Sequence, residues 1–149
     1  MTADNAPPAA GISLAGKRVL VTGGSSGIGR AIALAAARAG ADVAICYRAN
    51  EAGASAVAEQ IRGTGRRAAI LPADVSRQDE LTRLAATVRD AFGGVDAWIN
   101  NAGADVLTGS GAALSRLEKL DLLLSVDLRG TMLASWTAAE LMAGQPGGG

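Results

Sequence analysis

The chain has 149 residues, of which 49% are hydrophobic and 19% charged, enough to bury one core and to place it among soluble globular domains. Fourteen basic residues balance fourteen acidic ones, so no global field draws it toward nucleic acid or a membrane surface, and a small-molecule partner is expected. Histidine is absent, which excludes Ser-His and Cys-His catalytic pairs and histidine metal sites; the single cysteine, Cys46, excludes an internal disulfide.

The opening residues, MTADNAPPAAG, have neither the basic start nor the apolar segment of a secretory signal. Residues 1–13 read as a disordered tail before one domain spanning 14–149. A lone thiol in an apolar run fits a reducing compartment, so a cytoplasmic location is expected. Arg18 to Val21 is a short apolar run entering glycines, and Asp42 to Cys46, Ala68 to Leu71 and Val95 to Ile99 repeat it without polar alternation. Strands buried on both faces have this pattern. Between them Ile28 to Ala39, Glu51 to Arg62 and Gln78 to Phe92 are helix-length and end at Gly40, Gly63 and Gly93-Gly94.

Helix starts are marked by Asn50 before the second helix and by Ser76 before the third, with Asp79 three residues on, close to a capping box. A final long helix is expected from Ala112 to Ala143, apolar on more than one face. Asp121, Asp127, Arg129 and Glu140 interrupt its apolar run and argue against a membrane span. Strands alternating with helices predict an α/β fold: a doubly wound parallel sheet whose ligand site lies at the carboxyl ends of the strands.

The stretch TGGSSGIG, Thr22 to Gly29, joins the first strand to the first helix. Its glycines allow positive φ and close backbone approach, and the helix amides beyond favour an anion such as a diphosphate. Its spacing, Gly23-x-x-x-Gly27-x-Gly29, matches neither G-x-G-x-x-G nor the G-x-x-x-x-G-K-[ST] loop. Tyr47-Arg48 ends the second strand, where Arg48 can pair with a ribose 2′-phosphate and no acid repels one; a solvated arginine is the alternative. Asp74, in Pro72-Ala73-Asp74-Val75, can accept from an adenine amine or cap the next helix. Asn100-Asn101-Ala102-Gly103 follows the fourth strand, two amides and then small residues against which a flat ligand can lie.

TGGSSGIG after strand one, ADV after strand three and NNAG after strand four together resemble the short-chain dehydrogenase/reductase family, with agreement from Leu14 onward. The resemblance implies a Rossmann-like fold. It also implies that Gly23, Ser25, Ser26, Gly27, Ile28 and Gly29 hold a diphosphate, that Asp74 and Val75 meet the adenine, and that Asn101, Ala102 and Gly103 line the cofactor cleft. NADP is the expected cofactor, through Arg48, with NAD as the alternative. The implied activity is hydride transfer between NADP(H) and an alcohol or carbonyl, and the complete enzyme is implied to be a homo-oligomer through the long final helix; burial of that helix under the remaining half of the same enzyme is the alternative.

Members of that family use a serine and a Tyr-x-x-x-Lys pair, and the pair is absent here: Tyr47, the one tyrosine, is followed four residues later by Glu51. At the position of the family's assisting asparagine stands Asp127, in Val126-Asp127-Leu128-Arg129-Gly130. The expectation is therefore the amino-terminal, cofactor-binding part of a longer enzyme, a Rossmann-like sheet truncated after about four strands. The alternative is a non-catalytic dinucleotide-binding module.

Overall fold

A computed structural model of the chain describes residues 11–149; residues 1–10 of the expected tail lie outside the described residues. Four strands, β1 (Arg18–Thr22), β2 (Asp42–Tyr47), β3 (Ala68–Pro72) and β4 (Ala97–Ile99), form one parallel sheet in the order β3-β2-β1-β4. Helices α1 (Gly27–Arg38), α2 (Glu51–Gly63) and α3 (Gln78–Phe92) connect them. The chain winds outward from β1 to β3 and then returns to the other side of β1. Strand order therefore reverses beside β1, and the loops after β1 and β4 diverge around a crevice.

Successive strand residues point to opposite faces, and both faces are covered. Val19, Val21, Val43 and Ile45 pack beneath α1 and α2 with Ala33, Leu34, Val57 and Ile61. Leu20, Ala44 and Cys46 face the other way, onto Leu81, Leu84 and Val88 of α3. Burial on both sides explains why no strand shows polar alternation. This is the expected doubly wound, Rossmann-like α/β arrangement.

Three local expectations are corrected. The last helix does not begin at Ala112. A short turn, α4 (Gly109–Ala112), precedes α5 (Arg116–Leu123), a π-helix over Leu124–Gly130 and α6 (Thr131–Ala143). Ser115 sets the start of α5 by a capping box, its Oγ accepting the Glu118 amide while the Glu118 carboxylate accepts the Ser115 amide. Of the apolar residues on this helical run, Leu122, Val126, Leu133, Ala134, Leu141 and Met142 pack on the sheet side. Leu120, Leu124, Leu128 and Trp136 remain exposed.

Ser76 does not cap α3, whose N-cap position is Arg77 and which has no side-chain capping bond. The Ser76 amide and hydroxyl both donate to Asp74 Oδ1, at 2.9 and 2.7 Å, because the carboxylate two residues upstream closes an Asx-type turn first. Asn50 does cap α2, accepting the Gly53 amide at 3.1 Å. The fourth strand starts at Ala97, not Val95. The side-chain amide of Gln145 takes both backbone groups of Val95, accepting its N–H at 3.1 Å and donating to its carbonyl at 2.6 Å.

Arg18 and Asp96 lock the foot of β1 to the residue before β4. Arg18 Nε and Nη2 donate to the two carboxylate oxygens at 2.9 and 3.0 Å, and the Arg18 backbone amide adds a third bond at 2.7 Å. Both side chains are about four-fifths shielded. Hydrogen bonding from the guanidinium holds the Asp96 carboxyl below its usual range, against the opposing pull of burial. The resulting stabilisation is present above the unfolded value near 3.8 and is lost as pH falls through the lowered folded value. Asp96→Asn should therefore reduce the urea midpoint at neutral pH, and the gap to wild type should close in acid. An equal gap at both pH values would contradict this.

Candidate functional site

A cleft of about 530 Å3 opens at the carboxyl ends of the strands. The loop after β1 supplies Gly23, Ser25, Ser26, Gly27 and Ile28, and Arg48 comes from the end of β2. Asp74 and Val75 come from the turn after β3, and Asn101, Ala102 and Gly103 from the loop after β4. These positions are far apart in sequence, and the parallel order brings every strand's exit to the same edge. Of the sequence-predicted site residues, only Gly29 does not line the cleft.

Gly29 lies under the loop. A Cβ there would stand 2.2 Å from the Gly23 carbonyl oxygen and 2.5 Å from Asn101 Nδ2, so the absence of a side chain lets the loop fold back on the first turn of α1. Gly27, by contrast, has φ +53 and nothing within 4 Å of where its Cβ would be. The chain turns into the helix there and leaves open space above its backbone. No side chain caps α1. Its first-turn amides are therefore left for solvent or a ligand, at the positive end of the helix dipole.

The hydroxyls of Ser25 and Ser26, and the Arg48 guanidinium, likewise have no hydrogen-bond or ion-pair partner among the described residues. The donor set that faces the cleft thus comprises helix amides, two hydroxyls and one arginine. Such a set suits an extended, anionic ligand with more than one phosphate. Asp74 is partly engaged: Oδ1 takes both Ser76 donors, while its own amide donates to Glu80 Oε2 at 2.7 Å.

The sequence reading did not single out Thr22, which is 1% exposed. Its Oγ1 accepts the amides of Asn101 and Ala102 at 2.9 and 3.0 Å and donates to the Ile99 carbonyl at 3.3 Å. Asn101 replies through Nδ2, which donates to the carbonyls of Thr22 and Gly23 at 3.0 and 3.2 Å. The available signal was a polar residue closing an otherwise apolar strand immediately before glycines. The Asn101 amide group is spent on this tie, so its side chain shapes the cleft wall.

Asp127 lies in the π-helix, and its Oδ1 accepts the Ala104 amide at 2.8 Å. A Cβ on Gly103 would come within 3.5 Å of the same oxygen. Cys46 forms part of the cleft floor, where burial pushes its thiol up to about 12 and keeps it protonated and unreactive. Among the described residues, no group of three or more Cys, Asp or Glu is placed to hold a metal ion. None of the described helices is long and apolar enough to cross a membrane.

A family model described as short chain dehydrogenase matches residues 17–149. A short-chain dehydrogenase/reductase of Armillaria gallica is 38% identical over 135 residues, covering 90% of this chain and 51% of its own length. Hydroxysteroid dehydrogenase-like protein 2 of Xenopus laevis is 36% identical over 128 residues, covering 82% of this chain and 30% of that protein. A solved short-chain dehydrogenase from Burkholderia cenocepacia in complex with NADP superposes with a TM-score of 0.76 at 44% identity, over 86% of this chain and 51% of that one. A short-chain type dehydrogenase/reductase from Mycobacterium marinum gives 0.78 at 33% identity, over 88% and 52%. The chain thus spans about half the length of these solved structures and of the Armillaria gallica relative, and about a third of the Xenopus laevis one.

Replacing Thr22 by Val keeps the shape and strands the amides of Asn101 and Ala102 in a buried site. The expected cost is about 2–4 kcal/mol by chemical denaturation, from the desolvation of unpaired donors. Thr22→Ser should recover most of it. A Val variant as stable as wild type would show that the hydroxyl does not hold the two loops together.

Proposed function

The chain belongs to the short-chain dehydrogenase family, and from that premise we propose that it holds the dinucleotide of an oxidoreductase moving hydride between NADP(H) and an alcohol or carbonyl. The observation that carries this reading is the set of unpartnered donors, the first amides of α1, Ser25, Ser26 and Arg48, gathered on one cleft. The NADP complex of the Burkholderia cenocepacia relative supports it. When bound, the cofactor's nicotinamide supplies or takes up the hydride.

The residues of this chain bind and orient. The amides of Gly27 and Ile28 and the two serine hydroxyls hold the diphosphate, where the α1 dipole adds to the attraction. Arg48 neutralises a ribose 2′-phosphate; an acid at the end of β2 would instead accept from a 2′-hydroxyl, and none is present there. The remaining Asp74 oxygen accepts from the adenine amine, with Val75 beside it. Asn101, Ala102 and Gly103 form the wall on the nicotinamide side, where small side chains leave room for a flat ring. The buried thiol Cys46 fits a reducing, cytoplasmic setting.

A second reading, a dinucleotide-binding module without catalysis, is favoured by one observation: these 149 residues contain no Tyr-x-x-x-Lys. Protonating a carbonyl oxygen needs an acid of lowered pKa close to the transferred hydride. Asp127 Oδ1 is engaged with the Ala104 amide.

Leu117, Leu120, Leu124, Leu128, Met132 and Trp136 recur every three or four residues along α5, the π-helix and α6, all exposed. One stripe of this length supports the homo-oligomer reading, with a second copy covering it.

Three measurements test these proposals. In calorimetric titration NADPH should bind more tightly than NADH by about tenfold, and Arg48→Asp should abolish or reverse the preference. Tighter NADH binding would overturn the assignment of Arg48. The purified chain should show no ketone reduction, and measurable turnover would refute the binding-only role of these residues. In sedimentation, the paired substitution Leu124→Glu and Leu128→Glu should shift the chain toward monomer; a wild-type chain that is already monomeric would refute the oligomer.

A further inference from the structure

The turn after β3 is held at two heights. Its first residue, Ala73, is fixed to β2, the Ala73 amide donating to the Tyr47 carbonyl at 2.9 Å. The bonds around Asp74 are local, to Ser76 and Glu80, and set the shape of the turn but not its position over the cleft floor. Position comes from the π-helix. Gly130 is buried against the turn, and a Cβ there would stand 3.0 Å from Val75 Cγ2 and 3.2 Å from the Val75 carbonyl oxygen. The Arg129 guanidinium donates through Nη1 to the Ser76 carbonyl.

Asp127 and Arg129 both lie in the π segment, and π segments recur where a helix serves a site. Asp127 Oδ1 accepts the Ala104 amide on one side of the cleft while Arg129 donates to the Ser76 carbonyl on the other.

We propose that Arg129 is a positioning residue, which seats the Asp74–Ser76 turn against the π-helix and so sets the adenine end of the cleft. The inference rests on reading Asp74 and Val75 as the adenine end. Arg129 does not line the cleft; it acts through the Ser76 carbonyl, with Gly130 providing the close contact behind Val75.

The test uses the full chain, with adenosine 2′,5′-bisphosphate and reduced nicotinamide mononucleotide titrated separately, and amide hydrogen exchange read across residues 73–78. Arg129→Met keeps the aliphatic stem and removes the donor. It should speed exchange in the turn and weaken the adenosine bisphosphate about three- to tenfold, from the loss of one charge-assisted hydrogen bond. Affinity for the mononucleotide should stay unchanged. Arg129→Lys, which retains a donor, should restore most of the loss. Gly130→Ala displaces the same turn without altering the guanidinium and should weaken the bisphosphate in the same way, a second route if the Met variant folds poorly. Wild-type binding with both variants indistinguishable from it overturns the role of Arg129 alone. A wild-type chain that binds neither ligand overturns the dinucleotide reading and the adenine role together.

Discussion

One buried hydroxyl organises the cleft. Thr22 ends β1 at the centre of the sheet and binds both amides of the loop that follows β4, while Asn101 from that loop returns two bonds to the β1 exit. At the point where strand order reverses, the two connections leave in opposite directions and have no ladder to hold them. In an apolar interior, an unpaired amide there would cost more than the bond itself contributes in water. The side chains of Thr22 and Asn101 close that gap, and the glycine loop, the wall of small residues and the open space over Gly27 all follow from where this tie places the backbone.

Around that anchor the molecule separates groups that hold the fold from groups that face the cleft. Buried or half-buried polar groups are spent internally: Arg18 on Asp96, Gln145 on Val95, Asp74 on Ser76, and Thr22 on Asn101. Among the described residues that line the cleft, the Ser25 and Ser26 hydroxyls and the Arg48 guanidinium are left without protein partners, beside the uncapped amino end of α1 and the exit of β2. A fold that satisfies its interior so completely and leaves donors open in one place concentrates its affinity for anions there.

The protein's chemistry is divided as well. The match to the short-chain dehydrogenase family runs over residues 17–149, and the superpositions on solved relatives cover 86% and 88% of the chain. The chain spans about half the length of those structures. Within it, the group nearest to a family catalytic position, Asp127, is engaged in holding the β4 loop.

Much of this was legible in the residues. Apolar runs without alternation identified strands buried on both faces, because a period of two exposes any polar residue to one helix layer or the other. TGGSSGIG, Arg48, Asp74 and Asn101-Ala102-Gly103 marked the strand exits, and parallel strands bring all exits to one edge. Local competition was not legible. Ser76 looked like a cap, but Asp74 is two residues closer to the turn and takes its donors; Ala112 looked like a helix start, but Ser115 and Glu118 form a reciprocal box. Gly29 looked like part of the cradle and lies beneath it, since only the folded-back loop shows which glycine faces a neighbour's carbonyl. Sequence alone determined the fold class, the cleft's edge and the chemistry of its donors, all of which follow from periodicity and residue type. Tertiary structure decided that Thr22 joins the two loops and that Leu124–Gly130 winds as a π-helix against Val75, because both depend on contacts between segments some fifty to eighty residues apart.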